Sequence, residues 1–383
     1  MAALLGAQPA ESDPLAPVLD RMYNLEYAEA ATLLDAWLKD HPNDLHALNC
    51  RAEVILDQEM LREDLFASTP YSREGEAFQP RRAPLPAGFD AKLTAALDAA
   101  ARAADDRLKR SPSDPEALYW AGVTHGTRAE FEFALKRSNL AALRDGTAAR
   151  RYHQRLHKLQ PQDADALFVL GVADYVAGSL PWYVKVLASI GGLRGSRTRG
   201  LDELERAARD GRYAATDSKI VLVLFEERGK MFAQALALLD QLGHAYPRNF
   251  LVPLERARIY KLQANWQAAA RVYDALAAPL GSDAPGGPPL PAAVILYRAG
   301  EAHEHLQESE KALALYGRSA ALPSPSLWSD RAALAAARLY VHLHREADAR
   351  RTYQSLIQRS PNSPEGKAAR GALQNLPRTP PKR

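Results

Sequence analysis

One spacing recurs along this 383-residue chain and restricts what it can fold into. An alanine is followed twelve residues later by a proline at Ala30 and Pro42, Ala100 and Pro112, Ala149 and Pro161, Ala235 and Pro247, and Ala349 and Pro361. Ten residues after the first four prolines stands another small residue: Ala52, Gly122, Gly171 and Ala257. Twelve residues then lead from a small residue to the next alanine at Ala257 to Ala269, Gly300 to Ala312, and Ala337 to Ala349. Together the intervals make a period of 34 residues. Two antiparallel helices that approach closely need Gly or Ala where they cross, and a proline cannot continue the second helix. Leu34, Leu239, Tyr273, Tyr316 and Tyr353, each four residues after its alanine, fill the layer around the crossing. A period of this length predicts stacked helical hairpins.

Composition agrees. Hydrophobic residues are 47% and charged residues 25%, enough to fold and bury a core. Alanine dominates the apolar fraction and β-branched runs are scarce, which favours close-packed helices over sheet.

Pro-Glu-Ala-Leu-Tyr-Trp-Ala-Gly (115–122) and Asp-Ala-Leu-Phe-Val-Leu-Gly (165–171) are similar to the first-helix motif of the tetratricopeptide-repeat family. Gln-Ala-Asn-Trp-Gln-Ala-Ala-Ala-Arg-Val-Tyr (263–273) and Glu-Lys-Ala-Leu-Ala-Leu-Tyr (310–316) resemble its turn and second helix. The resemblance runs over about residues 15–375, and the layout resembles that of bacterial proteins carrying many such repeats. It implies an all-α fold, a right-handed superhelical solenoid of helix-turn-helix hairpins with irregular insertions. The expected organisation is an N-terminal array over 14–277, with insertions at about 61–89 and 172–200. A Pro/Gly linker follows at 278–291, then C-terminal repeats with a capping helix at 292–375 and a disordered tail at 376–383.

Several function classes are excluded. The formal net charge is +3, from 49 basic and 46 acidic residues, too even to steer a nucleic acid over long range. Residues 128–158 hold eight Lys/Arg against three acids. No aromatics are spaced there to stack bases, so this is read as a solvent-facing helix pair. The single cysteine, Cys50, leaves no intramolecular disulfide and no thiolate cluster. The phosphate loop, the dinucleotide fingerprint and the Gly-x-Ser-x-Gly elbow are all missing, so neither catalysis nor a cofactor is expected. His153 and His157 stand four apart, but Arg150, Arg151, Arg155 and Lys158 surround them. They are read as a solvated basic face, not a metal site. His303 and His305, like His342 and His344, are two apart and point away from each other on a helix.

No apolar run reaches the ~18 residues of a membrane span. The N-terminus lacks the basic start of a signal peptide. A cytoplasmic location is expected, or a periplasmic or envelope-associated one if a signal peptide lies further upstream. The segment 179–193 carries Trp182, Tyr183, Val186, Leu187 and Ile190 at helical spacing. It is read as an extra helix packed against the inner face. Its alternative is an interfacial membrane helix, with Lys185, Arg194, Arg197 and Arg199 at the headgroups.

The family resemblance implies that first helices of successive repeats line a concave surface. In this register that surface comprises Tyr119, Trp120, Phe168, Val172 and Tyr175 in its N-terminal half. Arg258, Lys261, Tyr297, Arg298 and Arg338 follow in its C-terminal half. An aromatic half followed by a basic half suits an amphipathic or extended peptide with apolar anchors and an acidic end. The family's clamp for chaperone tails is not reproduced, because Glu255 and Glu301 stand at comparable places. The expected function is a non-catalytic protein-interaction scaffold with a polypeptide partner and no small-molecule substrate. A peripheral membrane or envelope-assembly factor using the 179–199 segment is one alternative, and an RNA-associated helical repeat is another.

Overall fold

The computed structural model describes residues 13–63, 84–179, 195–280, 291–323 and 326–376, and every regular element among them is helical. The chain divides into two compact units, Met1–Asn249 and Phe250–Arg383. Among the described residues, the first holds five helical hairpins. These pair α1 (Ala16–Tyr23) with α2 (Tyr27–Asp40), and α3 (Leu45–Arg62) with α4 (Phe89–Arg110). Next come α5 (Pro115–Glu130) with α6 (Asn139–Leu159), and α7 (Ala166–Ser179) with α8 (Arg197–Asp210). The fifth pairs α9 (Ala215–Arg228) with α10 (Phe232–Ala245). The second unit holds α11 (Leu251–Leu262) with α12 (Trp266–Ala277), and α13 (Ala292–His305) with α14 (Ser309–Ala320). It ends with α15 (Leu327–His342), α16 (Glu346–Arg359) and a closing helix α17 (Pro364–Asn375).

The crossings fall on the small residues. Ala30, Ala100, Ala235, Ala269, Ala312 and Ala349 on second helices have no exposed surface, nor do Ala52, Ala257 and Ala337 on first helices. A β-carbon on Gly171 would stand 2.8 Å from the carbonyl oxygen of Gly200, and one on Gly300 would stand 2.7 Å from the ring of Tyr316. Helices α2, α4, α6, α10 and α16 each end two residues before the proline that was expected to stop them.

Five hairpins share one turn, which the absence of glycine there hid from sequence reading. Leu25, Lys230, Ala264, Gln307 and His344 each occupy the middle of a three-residue connection with φ of 65°, 59°, 56°, 62° and 58°. In each, the next residue's N–H bonds the carbonyl five positions back, as Asn265 does to Tyr260 and Glu308 to His303. The left-handed residue thus closes the C-terminus of the first helix. The α5–α6 hairpin departs from this pattern: α5 runs on into a π-helical turn, Phe131–Leu135.

The expected long insertions fall mostly on residues 64–83 and 180–194, outside the described residues, as do 281–290 of the Pro/Gly stretch and the tail from 377. The amphipathic segment 179–193 lies there too, apart from Ser179. The helices flanking the Pro/Gly stretch pack together, Ala277 clustering with Val294, Ile295 and Leu296. The division into compact units falls earlier, between Asn249 and Phe250. No helix among the described residues is long and apolar enough to cross a membrane.

Candidate functional site

In the first unit, the starts of α3, α5 and α9 are joined by aromatic packing. His46 stacks on Trp120 at 4.5 Å, and Tyr213, just before α9, lies 5.1 Å from both rings. Tyr119 stacks on Tyr213 at 5.5 Å. Tyr119 and Trp120 are only 7% and 4% exposed, and Tyr175 is 2% exposed with its ring 3.7 Å from Phe225. These three residues, assigned from sequence to a partner-facing surface, are committed to packing instead. The reason is that Tyr213 packs on Tyr119 and Trp120, and Phe225 of α9 on Tyr175. Phe168 and Val172 are half-buried against the Tyr175 cluster.

His153 also departs from expectation. It has no exposed surface, and neither ring nitrogen has a hydrogen-bond partner. Burial pushes its pKa down to about 3, so the ring is neutral. The basic run around it is largely engaged within the unit. Arg128 bonds Asp98 at 2.9 Å, Arg150 bonds Asp174 at 3.1 Å, and Arg155 donates to the carbonyl of Pro112 at 2.9 Å.

Beyond the aromatic cluster, the first helices carry carboxylates. Glu53 and Asp57 on α3 and Asp217 on α9 are half-buried, and Glu130 at the end of α5 is exposed. Burial raises three of them: Glu53 to about 8, Asp217 to about 6, and Asp57 well above the usual carboxylate range. They also act on one another, since Glu53 feels Asp217 and Glu130, while Asp57 feels Glu130, Glu53 and Asp217. Tyr23 of α1 donates its hydroxyl to Asp217 at 3.0 Å, which partly offsets the rise there. Sequence reading missed this acidic wall because its members are scattered over 165 positions, from Glu53 to Asp217. Among the described residues, no group of three or more His, Cys, Asp or Glu is placed to hold a metal ion.

In the second unit, first helices form a continuous ladder of charge. On α11, Arg258 pairs with Glu255 at 2.7 Å, and Lys261 reaches Glu301 of α13 at 2.6 Å. Arg298 shares Glu301 at 2.9 Å and lies 4.7 Å over the indole of Trp328 on α15. Arg331 stands 4.8 Å over the same indole and 3.5 Å from Glu365 on α17. Tyr297, half-buried, packs 5.5 Å from Trp328, and Arg338 is exposed. Burial, abetted by Arg298, lowers the pKa of Arg258 to about 10 and lowers that of Lys261 as well. Burial opposes the charge on Glu301, but Arg298 and Lys261 outweigh it and hold the carboxyl below its ordinary value. The basic half is therefore basic only in excess: Arg258, Lys261, Arg298, Arg331 and Arg338 face Glu255, Glu301 and Glu365.

Trp328 and Arg331 were not singled out from sequence. Their signal was the same register that placed Arg338, carried back to the start of α15, where Ser326 and Ser329 form a reciprocal cap.

An array of helical hairpins whose first helices present one continuous face is a helical-repeat protein. Residues 331–363 match the family model for the tetratricopeptide repeat. Among the described residues, buried alanine crossings recur in other hairpins, at Ala30, Ala100, Ala235, Ala257, Ala269 and Ala312. No curated protein matches the chain. Among solved structures, it is similar to a chain of the APC/C hetero-tetramer Cut9–Hcn1, at 13% identity and TM-score 0.45 over 91% of this chain and 52% of that one. The chain thus spans about half the length of that relative. It is also similar to PilF of Pseudomonas aeruginosa, at 15% identity and TM-score 0.40 over 69% of this chain and 99% of that one. A third similarity is to human IFIT1, solved as a dimer with m7Gppp-AAAA, at 13% identity and TM-score 0.42 over 94% and 84%.

Proposed function

We propose that this chain is a non-catalytic scaffold that docks a polypeptide on the first-helix ladder of its second unit. The observation that carries the reading is the contact of Trp328 with two guanidinium groups, Arg298 at 4.7 Å and Arg331 at 4.8 Å. A stack of this kind holds both cations in place on a face that α11, α13, α15 and α17 share. Acidic side chains spaced along an extended or amphipathic segment complement the excess of cations. The segment's apolar anchors meet Trp328 and Tyr297. No reacting group is needed for this role, since shape and charge suffice.

The test is a binding titration of acidic, apolar-anchored peptides against the full chain and against Trp328→Ala and Arg298→Ala. Each substitution is expected to weaken binding at least tenfold, and the double variant no more than either alone if the stack acts as one unit. Equal retention of such peptides by wild type and variants would overturn the assignment. Parallel arms with single-stranded RNA at low salt and with anionic vesicles address the two alternative readings. Ladder-dependent binding of RNA or vesicles, with none of peptide, replaces the proposal.

A further inference from the structure

Within the first unit, consecutive hairpins close on alanine, glycine and buried apolar side chains. Its two ends meet on different chemistry. Residues 20–26, at the end of α1 and the turn after it, meet residues 246–249, which follow α10 and lie more than two hundred positions away. Arg248 donates from Nη2 to Asp20 at 2.7 Å and from Nε to Glu26 at 2.7 Å. Its backbone N–H donates to the side-chain oxygen of Asn24 at 2.9 Å. Asn249 donates from Nδ2 to the carbonyl of Tyr23 at 2.8 Å. The ring of Tyr23 rests 4.9 Å from that of Tyr246, and its hydroxyl reaches Asp217 on the acidic wall.

We infer that this seam is a latch: residues 20–26 and 246–249 hold the first unit closed upon itself, and their parting gives access to Glu53, Asp57 and Asp217, the half-buried members of the acidic wall. Three features support it. The Arg248–Asp20 pair is half in water, at 42% and 46% exposed, so its grip is slight, whereas Glu26, 8% exposed, holds Arg248 more firmly. Parting the seam leaves every hairpin paired with its sequence neighbours. Finally, the carboxylates behind the seam repel one another, which favours a wider interior whenever they are ionised. Glu26, held below the usual carboxylate range chiefly by Arg248, keeps its side of the latch charged throughout.

The experiment is amide hydrogen exchange on the full chain, comparing wild type with Arg248→Ala and with Arg209→Ala, an exposed arginine paired to Asp210 away from the seam. Arg248→Ala is expected to speed exchange in α1 at least tenfold while α5 and α6 keep their protection, and Arg209→Ala to change neither. Exchange in α1 that stays at the wild-type rate, or that rises equally across the whole unit, overturns the latch. Cys50, buried on α3 one turn from Glu53 and the only cysteine in the chain, reports on the wall. Its labelling by a small maleimide is expected to quicken in step with α1, and a rate that does not follow overturns the claim that the wall is uncovered. No partner is involved, so failure here leaves the docking proposal on the second unit standing.

Discussion

The imidazole of His153 lies so close to Gly122 that a β-carbon on the glycine would stand 2.5 Å from its Cδ2 and Nε2. The α5–α6 crossing thus uses glycine on one side because a buried ring occupies the other. Gly122→Ala is expected to cost about 1–3 kcal/mol by overpacking, read as a lower midpoint in urea denaturation. At Gly126, one turn further along α5, an added β-carbon meets nothing within 4 Å. Gly126→Ala is expected to stabilise by about 0.5–1 kcal/mol through helix propensity alone. If the two substitutions shift the midpoint the same way, the close crossing is wrong.

The neutral His153 makes the first unit acid-sensitive. Its pKa is about 3 in the fold and about 6.5 in the unfolded chain, so its burial carries no protonation penalty above pH 6.5. Stability is lost as pH falls from there toward 3, with a slope of up to about 1.4 kcal/mol per pH unit. His153→Leu is expected to flatten the stability profile between pH 6 and 4, with under ~1.5 kcal/mol change at pH 7. The difference between the two pH profiles isolates this one group.

The acidic wall acts in the opposite sense. Glu53, at about 8, is protonated more readily in the fold than in the unfolded chain, so the stability it contributes at low pH is lost as pH rises from about 4.5 through 8. Asp217 and then Glu130 act on it, and it acts in turn on Asp57. Glu53→Gln is expected to stabilise the protein by about 1–2 kcal/mol at pH 8 and to change little at pH 5, after discounting for partial exposure. Thermal unfolding at the two pH values checks this.

The left-handed turn residues are a further point of leverage. Gln307, at φ 62°, strains its backbone where glycine would not. Gln307→Gly is expected to raise stability by up to about 1 kcal/mol, because relief of the left-handed conformation exceeds the added chain entropy. Circular dichroism melts of this variant and of Ala264→Gly are expected to shift upward together.

How far the fold was legible follows from where each constraint resides. Ala30, Gly122, Gly171, Ala257 and Ala349 could be recognised as crossing points from their intervals, since a helix crossing demands a small residue at one place in every repeat. The five left-handed turns lacked that legibility, because Leu25, Lys230, Ala264, Gln307 and His344 share no side-chain chemistry. Their conformation is imposed by the helices on either side. Arg258, Lys261, Arg298 and Arg338 could be assigned to one face by register, yet their pairing with Glu255 and Glu301 depends on side chains meeting across helices.

The period of 34 residues, the helical character and the sites of helix termination were thus contained in the order of amino acids, because all three arise from interactions spanning a turn or a single hairpin. The burial of Tyr119, Trp120, Tyr175 and His153, the assembly of the acidic wall and the closing of Arg248 onto Glu26 came from the folded chain alone. Except for His153, buried at the crossing of its own hairpin, each depends on how small rotations between successive hairpins accumulate, and that sum brings together residues which no local rule connects.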